Sequence, residues 1–139
     1  MSIRLRHLSM PRWTSRFYLP ASSMKRIKSA IADAEEKTGR TIVFAFESSF
    51  TTAQVIRGVS LEARAKELFG RLHVWDTADN NGMLLYLNLA DPILTVIADR
   101  GLQDVIDESK ISAVNRTIAP LFNKGKYLEG VLEAISSLQ

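Results

Sequence analysis

Six oxygen-bearing side chains could carry chemistry in this chain: Glu47, Asp76, Asp79, Asn80, Asn81 and Asp99. Asp76, Asp79, Asn80 and Asn81 crowd before one apolar run, and Asp99 follows a second. Carboxylates and amides offer oxygen ligands only, which suit hard cations such as calcium or magnesium. The spacing is not that of an EF-hand. Counted from Asp76, the sixth position is Asn81, and the glycine that loop requires arrives one residue late, at Gly82. The competing reading is a turn, because Asn and Gly tolerate left-handed backbone and Asp and Asn bond their own backbone there. Other chemistry is thin. The chain has no cysteine, which excludes disulfides, thiolate metal sites and a cysteine nucleophile. His7 lies near the start and His73 stands alone beside Val74 and Trp75. No Gly-x-Ser-x-Gly elbow and no Walker glycine loop is present.

The elements that must position these groups start with the apolar runs Met83 to Leu89 and Ile93 to Ala98. Both read as strands buried on two faces. The Ala90-Asp91-Pro92 break between them is too short for a parallel crossover, so the two must pair antiparallel, in the middle of the sheet. The start of one then lies beside the end of the other. Asp76 and Asp79 should therefore meet Asp99 at one edge, opposite the Asp91 turn. Thr41 to Phe46 reads as another buried strand, ending at Glu47. A carboxylate at that strand's C-terminal end is where open α/β sheets place ligand contacts, so Glu47 joins the candidate set. About 35 residues containing a helix separate it from the central pair, enough for a right-handed parallel crossover.

Helix signals fill the rest. Ser22 or Ser23 can cap a first helix whose stripe is Met24, Ile27, Ile31 and Ala34, with Gly39 as its left-handed stop. Residues 48–59 form a polar loop. Ser60 caps a second helix with Leu61, Ala65, Leu68 and Phe69 buried and Gly70 as its stop. Leu72, Val74 and Trp75 suggest a short extended piece. Beyond Gly101 come three helical patterns: Leu102, Val105 and Ile106; then Val114, Ile118, Leu121 and Phe122 behind a Ser112 cap; then Leu128 through Leu138. Pro120 should kink or tighten the second of these.

The 139 residues suit one core-bearing domain. Charge is uneven. Residues 1–20 carry Arg4, Arg6, Arg12 and Arg16 and no acid, whereas the rest is close to balanced. The basic balance thus comes from the arm, which argues against nucleic acid as partner, since that needs basic groups clustered on a folded face. Arginines interleaved with Trp13, Phe17 and Tyr18 suit peripheral contact with an anionic membrane or docking on a protein partner. The simpler reading is a leader packing its aromatics on the domain. With no signal-like apolar core and no apolar stretch of membrane length, the sequence reads as cytoplasmic.

The run FGRLHVWDTADNNGMLLYLNLADPILTVIADRGL resembles the TPM domain family. Asn80, Asn81, Gly82, Asp91, Gly101 and Leu102 match its Asn-Asn-Gly motif, Asp turn and Gly-Leu helix start. Ile118 through Phe122, with Gly125, Tyr127 and Gly130, resembles its closing helices. Val74-Trp75-Asp76-Thr77 looks like the soluble bacterial branch without a secretory signal. The chain departs at Pro92, where many members have arginine, and at Gln103, where many have an acid. The resemblance spans roughly residues 22–139. It implies divalent-metal binding in some members and phosphatase activity in some plant relatives. The expectation is an arm, residues 1–20, before a TPM-like α/β domain, residues 21–139. That domain is a three-layer α/β/α sandwich with a small mixed sheet of about four strands and helices on both faces. Its expected role is a binding or accessory module that holds calcium or magnesium through Glu47, Asp76, Asp79, Asn80, Asn81 and Asp99 and presents a surface to a protein partner. The rival is a metal-assisted phosphomonoesterase. No catalytic residue stands out.

Overall fold

The computed structural model describes residues 19–47, 60–89 and 91–139. The readings made above for residues 1–18 and for the loop 48–59 lie outside this set. The elements in order are α1 (Ala21–Thr38), β1 (Thr41–Glu47), α2 (Leu61–Arg71), β2 (Gly82–Asn88), β3 (Leu94–Ala98), a 3-10 turn (Arg100–Leu102), α3 (Glu108–Asn123) and α4 (Tyr127–Ser137).

The sheet order is β1-β2-β3, with β2 in the centre. β1 and β2 run parallel, with Thr41 opposite Gly82 and Glu47 opposite Asn88. β2 and β3 run antiparallel, with Met83 opposite Ala98 and Leu87 opposite Leu94. The expected parallel crossover and the expected antiparallel hairpin are both present. Among the described residues the sheet has three strands rather than about four. β3 is therefore an edge strand, not a central one, and its outer positions are only partly buried.

Alternation along the strands sends side chains to two cores. Ile42, Phe44, Phe46, Leu85 and Leu87 point to one face and pack against Ile27 and Ile31 of α1, Ile118 of α3 and Ile135 of α4. Val43, Ala45, Leu84 and Tyr86 point to the other and meet Ala65 and Leu68 of α2, with Val74. Three helices on one face and one on the other make a three-layer α/β/α sandwich around a mixed sheet. No described helix is long and apolar enough to cross a membrane.

Local chemistry sets the element ends. α1 starts at Ala21 behind Pro20, whose fixed φ of −61° and extended ψ of 164° turn the chain into the helix without a side-chain cap. The expected serine caps fall inside the first turn, and Ser23 is buried. Gly39 closes α1 at φ 71°. Ser60 caps α2 by accepting a bond from the Ala63 amide. That helix runs past Gly70 to Arg71, and the left-handed residue beyond it is His73, at φ 55°. Residues 72–75 are accordingly turn, not strand: Val74 N–H bonds Phe69 carbonyl and His73 N–H bonds Gly70 carbonyl. The Leu102, Val105, Ile106 pattern forms only a 3-10 turn followed by further turns. Asp107 caps α3 through the Lys110 amide, ahead of the expected Ser112. Pro120 is accommodated within α3, which continues to Asn123.

β2 is the element whose loss the sheet could least tolerate, since every one of its residues is buried. Leu85, fully buried at its centre, should cost about 2–5 kcal/mol when truncated to alanine. Ile97, half-buried on the edge strand, should cost less than about 2 kcal/mol. Denaturant unfolding of the two variants measures the difference, and equal losses would contradict the central placing of β2.

Candidate functional site

The Asn-Asn-Gly segment sits where β2 begins. Asp99 N–H bonds Gly82 carbonyl at 2.9 Å, and Gly101 N–H bonds Asn80 carbonyl at 2.7 Å. These two bonds lay the loop before β2 directly against the loop after β3. Asn80 takes a left-handed φ of 52°, a conformation in which asparagine is among the commoner non-glycine residues. Asn81 ties the segment inward. Its N–H donates to Thr77 Oγ1, its side-chain amide donates to Gly39 carbonyl, and its own carbonyl accepts from Thr41 N–H. Gly82 is required by crowding: a Cβ there would lie 2.0 Å from Val74 carbonyl oxygen. Gly101 is required likewise, since its Cβ would fall 2.6 Å from the carbonyl oxygens of both Asp79 and Asn80.

Of the expected site residues, Asp76, Asp79, Asn80, Asn81 and Asp99 therefore belong to one end of the sheet. Asp76 and Asp79 are exposed, and Asp99 is partly so. One Asp99 oxygen accepts from Arg100 N–H. Among the described residues none of these three aspartates forms an ion pair, and no three acidic or histidine side chains converge as a ready metal cage. Trp75, on the same approach to β2, is 49% exposed, with its indole N–H directed to Gly70 carbonyl and its ring tilted against His73.

Glu47 does not join this group. Because β1 is parallel to β2, Glu47 lies beside Asn88 at the far end, about 20 Å away along a seven-residue strand. There it anchors a different cluster. Arg64 of α2 grips the Glu47 carboxylate with two nitrogens, Nε at 3.0 Å and Nη2 at 2.5 Å. Its remaining nitrogen, Nη1, reaches Glu67 at 2.7 Å. Tyr86 hydroxyl donates to Glu47 at 2.7 Å and accepts from the Asn88 amide at 2.9 Å. The set is largely buried, and in the shared register Val43, Ala45 and Glu47 on β1 stand against Leu84, Tyr86 and Asn88 on β2. The Glu47 hydrogen bonds hold the Arg64 guanidinium charged more firmly than an ordinary arginine, against the opposing effect of burial. Burial, helped by the bond to Glu47, pushes the Tyr86 hydroxyl above the usual phenol range.

Sequence reasoning passed over Arg64, Tyr86 and Asn88. The signal was present: Tyr86 and Asn88 are polar residues two apart inside an apolar run, hence on one face, and Arg64 adjoins the Ala65 and Leu68 stripe.

A small mixed sheet with three helices on one face and one on the other, carrying a tight Asn-Asn-Gly entry to its central strand, defines the class of domain. The chain belongs to the TPM domain family, whose sequence profile matches residues 17–139. Its fold is similar to that of the BA42 protein of the psychrophilic bacterium Bizionia argentinensis, at 24% identity and a TM-score of 0.73 over 87% of this chain and 79% of that one. It is similar also to the N-terminal domain of a protein from P. gingivalis, at 18% identity and a TM-score of 0.77 over 97% and 80%. The N-terminal domain of the cg2496 protein from Corynebacterium glutamicum matches at 16% identity and a TM-score of 0.59, over 85% and 70%. At these identities the likeness is one of fold. No curated protein matches the chain.

Two expectations follow from the Glu47 cluster. Arg64→Ala strands a mostly buried carboxylate and should cost about 3–5 kcal/mol, whereas Arg64→Met combined with Glu47→Gln should cost clearly less than the two single changes added. Thermodynamic coupling near zero in that cycle would contradict a shared network. The Tyr86 hydroxyl, with its folded pKa above the unfolded value of about 10, contributes stability below pH 10 that is lost as pH rises through its folded pKa. Tyr86→Phe should flatten the alkaline fall in stability, measured by urea unfolding from pH 8 upward; an unchanged profile would place that fall elsewhere.

Proposed function

We propose that the chain is a binding module whose ligand edge is the Asn-Asn-Gly end of the sheet, where a divalent cation, calcium or magnesium, orders the two loops into a surface for a protein partner. The observation that carries this reading is the main-chain clasp, Asp99 to Gly82 and Gly101 to Asn80, which sets Asp99 in the same edge as Asp76 and Asp79. The donor set is all oxygen, as hard cations require. Three carboxylates with no cationic partner among the described residues create a local negative field that a cation relieves. Asp76, Asp79 and Asp99 are the residues that would hold it. Asn80 and Asn81 shape the loop through the Gly101 N–H to Asn80 carbonyl bond and the Asn81 Nδ2 to Gly39 carbonyl bond, and their side-chain oxygens would add to the donor set. With no three carboxylates converging among the described residues, the bound ion would keep part of its water shell, a habit more marked in magnesium than in calcium. Its chemistry there would be to neutralise charge and join loops.

Binding to the folded state alone raises stability by RT ln(1 + [L]/Kd), about 2.7 kcal/mol at a hundredfold excess over Kd. Calcium or magnesium should therefore raise the melting temperature, and Asp76→Ala or Asp99→Ala should remove the rise. Glu47→Gln should retain it, because Glu47 is at the other end. A parent protein whose melting ignores both ions would defeat the proposal. Cation-dependent hydrolysis of a phosphomonoester that vanishes in Asp76→Ala would make the same edge catalytic instead.

A further inference from the structure

β3 is an edge strand whose outer side is closed at one point. Asn115 of α3 takes the place of a neighbouring strand there: Leu94 N–H donates to Asn115 Oδ1 at 3.0 Å, and Asn115 Nδ2 donates to Leu94 carbonyl at 2.9 Å. Leu94 main-chain groups therefore point outward, and by strand alternation so do those of Val96 and Ala98. Asp99, of the other parity, sends its N–H inward to Gly82 carbonyl, which fixes the same phase independently. Among the described residues no group bonds the outward N–H or carbonyl of Val96 or Ala98.

Those groups border a cleft of about 400 Å3 with two unlike walls. Ile106, Asp107 and Glu108, at the start of α3, form one wall, on the face of the sheet to which Val96 turns its side chain. Lys66 of α2 forms the other, on the face of Ile97. Asp107 and Glu108 form no ion pair among the described residues, whereas Lys66 is already paired with Glu62 at 3.2 Å. The cleft thus joins free main-chain donors and acceptors to one acidic wall and one neutralised wall. An unpaired strand edge of this kind is a template for another strand.

We propose that β3 receives an extended segment of a partner protein, antiparallel, with lysine or arginine at alternate positions and aliphatic residues between them. Antiparallel pairing is slightly the more stable, and opposite residues then share a face. Guest residues whose main chain bonds Val96 and Ala98 carry their side chains towards α3, so these are the basic ones, set against Asp107 and Glu108. The residues between them lie over Ile97 and the aliphatic stem of Lys66. A second copy of this chain is the poorer occupant. Antiparallel pairing of β3 with itself keeps each face of the sheet on its own side, so the acidic α3 walls of both copies would crowd together and repel. The inference does not rest on the cation reading, because neither its main-chain contacts nor its acidic wall includes Asp76, Asp79 or Asp99.

The test uses the full chain in EDTA, which removes divalent cations from the outcome. The probe is the blocked peptide acetyl-Lys-Val-Lys-Val-Lys-amide, titrated while the protein amide signals are followed by NMR. Val96 and Ala98 signals should move saturably. N-methylation of the central lysine removes a donor aimed at β3 and should weaken binding at least tenfold; N-methylation of a valine, whose N–H points away, should leave it nearly unchanged. Glu108→Lys should also weaken binding at least tenfold without altering the fold, as judged by the remaining signals. Unmoved Val96 and Ala98 signals would overturn the proposal, as would equal effects of the two methylations or a Glu108→Lys variant that binds as the parent does. Movement of those two signals with protein concentration alone, before any peptide is added, would assign the edge to a second copy and overturn it likewise.

Discussion

Everything in this domain hangs on β2 having no solvent side. Its two edges are taken by β1 and β3, and its two faces by separate cores. A strand in that position must be apolar throughout or must bury polar groups with partners, because an unpaired polar group there costs roughly 1–3 kcal/mol. Leu84, Leu85 and Leu87 obey the first condition, while Tyr86 and Asn88 obey the second through Glu47 and Arg64. The Arg64 network thus follows from the placing of β2. Replacing leucine by tyrosine and asparagine at the end of a fully buried strand obliges the neighbouring helix to deliver a charge-bearing donor.

Strand direction then divides the chemistry. With β1 parallel to β2 and β3 antiparallel to it, the start of β2 lies beside the start of β1 and the end of β3. One end of the sheet receives Asp76, Asp79 and Asp99 at its surface, and the other receives Glu47 in partial burial. Chemically similar side chains meet opposite fates. The aspartates stay at the surface and form no ion pair among the described residues. Glu47 is already neutralised by an internal one.

Much of the fold could be read from residue types because burial on both faces leaves an unmistakable apolar run, as at Met83 to Leu87, and because Gly39 and Ser60 act locally. What failed was whatever depended on a neighbour distant in sequence. Ser23 is a good cap in isolation, but it is buried and Pro20 starts the helix first. Leu72 and Val74 look extended until His73 turns left-handed. Glu47 looks like a ligand at a strand end until the parallel pairing sends it away from Asp99. Arg64 looks like solvent-facing helix charge until the register brings Glu47 and Tyr86 beneath it. Even the Asn-Asn-Gly motif divides this way. Its left-handed Asn80 follows from residue type, whereas the need for Gly82 comes from Val74, eight residues earlier, and is invisible without the fold.

The mixed directions of the sheet also bear on how the chain assembles in time. Register partners in β2 and β3 stand as few as seven positions apart, at Leu87 and Leu94, whereas those in β1 and β2 stand 41 apart. Loop closure grows costlier with separation, and contacts between distant positions slow folding. The hairpin can form while β1 is still searching, and during that interval β2 shows one bare edge and two bare faces. The docking of β1, with α1 attached to it through only Gly39 and Arg40, closes that edge and brings α1 over one face, while α2 covers the other. The strand pairing of longest separation is thus the one that closes the open edge of β2, a burden that a purely antiparallel sheet of the same length would largely escape.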